Sequence, residues 1–155
     1  MTKIFEDFFS ELQANIVSAC LDYVDDKADE IFIYCSYEPK MYFFDVFYKI
    51  HGEIIHKHKL NQVVDNTNNN HVYDVSRENQ RYLLKAGNEL FKNLHKKFLE
   101  FNREMPTEMK LHFDVKHHKL HGKYNYELVY SNDSELFLDN IFELWYDEIK
   151  AKNKG

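Results

Sequence analysis

Glycine and proline are scarce, at four and two in 155 residues. A chain so short of both does not build a loop-rich or many-turned sandwich fold, which leaves helices and a few long strands. Cysteine is nearly as rare. Cys20 and Cys35 form neither a C-x-x-C pair nor a repeated spacing, so no disulfide framework or zinc site is signalled. A reducing cytoplasm is the expected compartment. No apolar run approaches the roughly 18 residues of a membrane span, and Glu6 and Asp7 interrupt the first apolar stretch, where a secretory leader would tolerate no charge. No membrane association is expected. The chain also lacks a G-x-S-x-G elbow, a phosphate-binding glycine loop and an H-E-x-x-H pair. Asp25, Asp26 and Asp29 lack the glycine and closing glutamate of a calcium loop. Hence no catalytic residue, metal or cofactor is expected.

What is plentiful is large apolar side chains. Thirteen Phe and eleven Tyr in a composition that is 44% hydrophobic supply enough material for a real core, and residues 1–155 are read as one domain. Ile4, Phe5, Phe8, Phe9, Leu12, Ile16, Cys20 and Val24 recur at helical spacing, with Thr2 as the candidate cap. Residues 31–37 and 41–50 read as strands separated by Glu38, Pro39 and Lys40, and His51-Gly52 turns the chain into a third strand over 53–59. The asparagine-rich stretch at about 61–72 has no periodicity and is expected to be a mobile loop. Ser76 caps a long helix to about Arg103, with Gly87 on its apolar arc marking a close approach of another backbone. Met109, Leu111, Phe113 and Val115 then alternate against Lys110, His112 and Asp114, a hairpin tip spans 116–122, and Tyr124, Tyr126 and Leu128 alternate on the return. A final helix begins at Asp133 or Ser134. The order α-β-β-(β)-α-β-β-α predicts an α+β fold, an antiparallel sheet or pair of sheets with helices packed on it.

Charge is distributed unevenly. Asp133, Glu135, Asp139, Glu143, Asp147 and Glu148 lie between Ser131 and Ile149 with no lysine or arginine among them, so this one segment carries the whole formal charge of -6. On a helical projection Glu135, Asp139, Glu143 and Asp147 share one side, with Leu136 and Tyr146 projecting among them. Phe137, Leu138, Ile141, Phe142, Leu144, Trp145 and Ile149 fall on the other, together with an unpartnered Glu148. Carboxylates at i, i+4 repel by roughly 0.2–0.5 kcal/mol per pair. Three explanations compete for a stripe that keeps this repulsion. It is a solvated outer face; or it pairs with the ridge Lys85, Lys92, Lys96 and Arg103 on the long helix; or it attracts a cationic partner, with the apolar side chains as anchors. Direct nucleic-acid binding is disfavoured, because the stripe repels phosphates and no basic patch with interleaved aromatics is evident. His117, His118 and His121 at the hairpin tip, and His56 with His58, keep open a metal-binding or enzymatic domain as the alternative.

The runs Leu94 to Arg103, Pro106-Thr107-Glu108-Met109-Lys110-Leu111, Gly122-Lys123-Tyr124-Asn125-Tyr126-Glu127 and Trp145-Tyr146 together resemble the YezG-like immunity protein family. The resemblance covers roughly Tyr82 to Ile149, and Ile4 to Tyr34 echoes the family's opening helix and aromatic strand. The tryptophan that often precedes that strand is replaced here by the acidic stretch Asp25 to Glu30. The resemblance implies a cytoplasmic antitoxin that binds a secreted LXG-type toxin of Gram-positive bacteria, several of which are nucleases. A nuclease carries a positive groove. The expected partner is therefore a basic toxin domain, met by Glu135, Leu136, Asp139, Glu143, Tyr146 and Asp147, with Asp25 and Asp26 extending the surface.

Overall fold

The computed structural model describes residues 3–38, 41–63, 71–127 and 138–153. Its elements are α1 (Phe5–Tyr23), β1 (Glu30–Tyr37), β2 (Tyr42–Ile50), β3 (Glu53–His56), a 3-10 turn (Leu60–Gln62), α2 (Arg77–Glu100), β4 (Glu108–Asp114), β5 (Lys119–Asn125) and α3 (Leu138–Asn153). The strands form one antiparallel sheet in the order β3-β2-β1-β4-β5, so the fold is α+β and the two strand groups share a single sheet.

Most local expectations hold for identifiable reasons. The Ser76 hydroxyl accepts the Asn79 N–H at 3.2 Å and starts α2. Residues 51 and 52 both take positive φ, 48° and 80°, in the two-residue turn that hairpins of right-twisted strands favour. A Cβ on Gly87 would lie 2.2 Å from the Phe44 ring, which is how closely α2 approaches the sheet. Other boundaries shift. The cap of α1 is Ile4, whose N–H donates to the Asp7 carboxylate at 3.1 Å. The third strand stops at His56, α2 ends at Glu100, and the tip of the second hairpin is 115–118, which leaves Gly122 inside β5. The asparagine-rich stretch lies outside the described residues over 64–70. At its borders Asn61 and Tyr73 exchange a reciprocal pair of hydrogen bonds, at 2.8 and 2.9 Å.

Register decides what each sheet face carries. Ile31, Ile33, Cys35, Val46, Tyr48, Met109 and Leu111 point to the side covered by α1 and α2, and they form the larger core with Ile16, Cys20, Leu83, Phe91 and Leu94. Burial pushes the thiols of Cys20 and Cys35 far up, and both are unpaired. Phe32, Tyr34, Phe47 and Ile54 point to the opposite side and meet Ile141, Phe142, Trp145 and Tyr146 of α3. Thus β1 is covered on both faces, and six consecutive residues, Ile31 to Ser36, are buried. The same layering separates the lysine ridge from the acidic stripe. Lys92 lies over the Tyr42 ring and Arg103 pairs with Glu6 of α1 at 2.9 Å, on the far side of the sheet from α3.

Candidate functional site

Most of the expected site residues fall on α3 and the sheet surface around it. α3 buries Ile141, Phe142, Trp145 and Tyr146 and turns Glu143, Leu144, Asp147 and Glu148 outward. Two residues exchange the sides expected for them. Tyr146 is 6% exposed: its hydroxyl donates to the Ile54 carbonyl at 3.3 Å, its ring stacks on His56 at 3.7 Å, and it meets the edge of Phe47 at 5.1 Å. Leu144, placed in the apolar arc by projection, is instead 59% exposed. The reason is area. A helix with four large side chains on adjacent strips buries the aromatic strip, and the phenol goes inside because β3 offers its hydroxyl a carbonyl.

The outer face is therefore an acidic ridge of Glu143 and Asp147 with one exposed apolar residue, Leu144, beside it. Asp139 stands in the first turn of α3, and Glu135 and Leu136 lie outside the described residues. Burial, and then the carboxylates of Glu143 and Asp147, push the Tyr146 phenol up, so the ridge sits close above that ring. The last turn carries Lys150 and Lys152. Acid before base along the axis complements the helix dipole, which is an internal reason for part of the pattern.

One carboxylate of the ridge is also held from within. Glu143 approaches His56 Nε2 at 3.2 Å, with the His56 side chain 17% exposed. Burial, followed by the nearby His58, Lys57, Lys59 and Lys150, pushes the imidazole down to about 4. At pH 7 it is neutral, and its contact with Glu143 is that of an uncharged imidazole beside a carboxylate. As the pH falls the unfolded chain takes up this proton first, so the stability tied to a neutral His56 is complete above about 6.5 and is lost between 6.5 and 4. The loss is on the order of 2 kcal/mol. Urea midpoints measured at pH 7 and pH 4.5 are expected to differ less in His56→Gln than in the natural chain; equal differences would refute this assignment.

Asp25 and Asp26 are exposed just beyond the end of α1. They close α1 in left-handed conformations, φ 53° and 62°, which short polar side chains tolerate, and Asp25 pairs with His71 at 2.9 Å. Their neighbour Asp29 accepts the Gly52 N–H at 2.8 Å, and Gly52 in turn accepts the Asn153 amide at 2.8 Å. This turn therefore adjoins the basic end of α3, at the opposite end of β3 from His56. A cleft of about 300 Å³ there is lined by Asp26, Asp29, His51, His71 and Tyr73. The hairpin histidines diverge: His117 binds Asp114 at 2.8 Å, His118 lies at the edge of Phe113, and His121 faces His112 across β4 and β5. Among the described residues no group of three His, Cys, Asp or Glu side chains is arranged to hold a metal.

A second feature of this surface was not foreseen. α3 packs over β2 and β3, leaving the same face of β4 and β5 open along its flank. Register puts Lys110 opposite Lys123 and His112 opposite His121 on that face, and Lys152 of α3 joins them to line a cleft of about 140 Å³ floored by Phe32 and Trp145. Glu148 sits there too, and Lys152 donates to it at 3.0 Å. Lys152, and then Lys110 and Lys123, hold the Glu148 carboxyl below the usual range. It is thus partnered, not a stray charge in an apolar arc. The signal was present in the sequence: Lys110 and His112 alternate with core residues, and pairing the hairpin brings Lys123 and His121 beside them.

No protein-family model matches the chain, and no curated protein matches it either.

Proposed function

We propose that the protein is an immunity protein that binds and neutralises a cognate secreted toxin of the LXG, type VII-secreted kind by protein-protein association in the cytoplasm. The observation that carries this reading is the outer face of α3, where Glu143 and Asp147 stand beside an exposed Leu144 in the segment that holds the whole net charge. Isolated carboxylates on a helix are ordinary. A large aliphatic side chain, 59% exposed and set beside acids, is the composition of an anchor with steering charges. The partner that fits is a basic domain, and a nuclease fits best, since its phosphate groove supplies the complementary field. The resemblance of residues 82–149 to YezG-like immunity proteins supports the same reading. No direct contact with nucleic acid is proposed for this ridge.

Co-expression with a basic toxin domain encoded beside this chain tests the proposal. Rescue of growth together with co-purification at equal stoichiometry supports it. Growth arrest that persists with both proteins present refutes it. Stoichiometric bound metal with a raised melting temperature would instead favour the enzymatic alternative built on His117, His118 and His121.

A further inference from the structure

We propose that the cleft beside α3 binds a phosphomonoester group, with the ammonium groups of Lys110, Lys123 and Lys152 as its ligands and Glu148 as a built-in counter-ion that the ligand displaces. The first argument is convergence. Lys110 and Lys123 are cross-strand partners on one sheet face, and like charges in directly opposed positions destabilise a sheet. Lys152 comes from a different element and points into the same cleft. Three ammonium groups face Glu148 there; Glu108, on the same strand face, is reached by Lys110 at 3.9 Å, and Glu30, further along, is engaged by Lys49 at 3.2 Å and by His112. Positive charge remains in excess after both carboxylates are counted, which suits an oxyanion, and displacing Glu148 raises that excess to the two charges of a phosphomonoester dianion.

Partners separate the three lysines. Lys152 is paired with Glu148 at 3.0 Å. Lys110 lies over the Trp145 ring at 5.7 Å and reaches Glu108 only at 3.9 Å, while Tyr34 donates a hydrogen bond of 2.5 Å to that same glutamate. Lys123 has no ion pair within the described residues and is free to close on a ligand. The internal carboxylate shows what the cleft accepts: an oxyanion held by lysine point charges over an apolar floor. Phe32 and Trp145 floor the cleft, while the Lys152 and Glu148 side chains at its rim are 68% and 54% exposed, so their attraction is partly screened by solvent. A cavity of about 150 Å³ takes one benzene ring. At about 140 Å³ this cleft takes a phosphoryl group on a short carrier and does not enclose a nucleoside behind it.

Trp145 is the only tryptophan in the chain and lines the cleft, which makes its emission a reporter of occupancy. The full chain would be titrated with inorganic phosphate and with glycerol 2-phosphate at pH 7.5, with potassium chloride at matched ionic strength as the control and a single-stranded oligonucleotide as a further arm. The expected result is a saturable change in Trp145 emission with both phosphates and none with chloride. Lys123→Gln is expected to weaken binding about tenfold at an unchanged melting temperature, and Glu148→Gln to tighten it several-fold by removing the internal competitor. That tightening is a response which a purely structural Glu148-Lys152 pair would not give. A non-saturable change, a chloride response of equal size, or unaltered affinity in both variants overturns the proposal. Oligonucleotide binding tenfold tighter than glycerol 2-phosphate also overturns it, in favour of a nucleic-acid surface.

Discussion

Phe47→Ala is expected to lower stability by about 3–5 kcal/mol and to loosen α3 from the sheet before the rest of the molecule unfolds. Phe47 has no exposed surface. Its ring stacks on Phe32 at 4.8 Å and meets Trp145 and Tyr146 edge-on, both at 5.1 Å, and Phe142 at 5.8 Å. It is therefore the residue through which three of the four buried side chains of α3 contact β2. Deleting it leaves a cavity in a small cluster, where Phe32, Tyr34 and the His56 ring still touch Trp145, Phe142 and Tyr146, and where hydrogen bonds run from Tyr146 to the Ile54 carbonyl and from Asn153 to Gly52. Such hydrogen bonds contribute about 1 kcal/mol each. The larger core under α1 and α2 is untouched, because it faces the other way. A chain of this length loses roughly 2–4 °C of melting temperature per kcal/mol, so a fall of about 8–15 °C is expected. Trp145 emission should shift to the red at a denaturant concentration where far-ultraviolet ellipticity is still mostly native. Coincident transitions, or a fall of only about 2 °C, would show that α3 does not hang on this ring.

The separation into two cores also explains which parts of the fold could be read in advance. Element type followed from periodicity, because alternation in 109–115 and helical spacing in 83–101 are properties of neighbouring residues. The face on which each helix lies depends on connections instead. Nothing local to α3 says that it packs on the side of Phe32, Tyr34 and Phe47 rather than beside α1. Hence pairing of the lysine ridge with the acidic stripe stayed open in the sequence and is excluded by the layering. The rotation of α3 about its axis was hidden for a related reason. A projection ranks residues by hydrophobicity, and Leu144 outranks Tyr146 until the Ile54 carbonyl and the His56 ring are known to wait on β3. The acidic ridge was legible in Glu143 and Asp147 because charge on a helix goes outward almost regardless of context. Asp25 and Asp26 have a second role that composition does not show: their short polar side chains suit the left-handed turn that ends α1.

The exchange of Tyr146 for Leu144 sharpens what the ridge should do to a partner. Neutralising Glu143 and Asp147 together, as Glu143→Gln and Asp147→Asn, is expected to slow association with the basic toxin domain about tenfold at low ionic strength, with a much smaller effect at 0.5 M salt, where charges are screened beyond roughly 4–5 Å. Glutamine keeps the shape of a side chain that is half exposed, so folding should be preserved and an equal melting temperature is the internal control. Leu144→Ala is expected to act on the other rate: the apolar contact is formed only in the docked complex, and its loss should speed dissociation by about tenfold while leaving association nearly unchanged. Tyr146→Phe keeps the buried ring and removes only its hydroxyl, so it should lower stability by about 1 kcal/mol and leave both rates intact. The three variants thus divide steering, anchoring and packing among four residues of one short stretch of helix. An association rate at low salt that ignores the loss of both carboxylates would sink the docking assignment, even if the complex itself still forms.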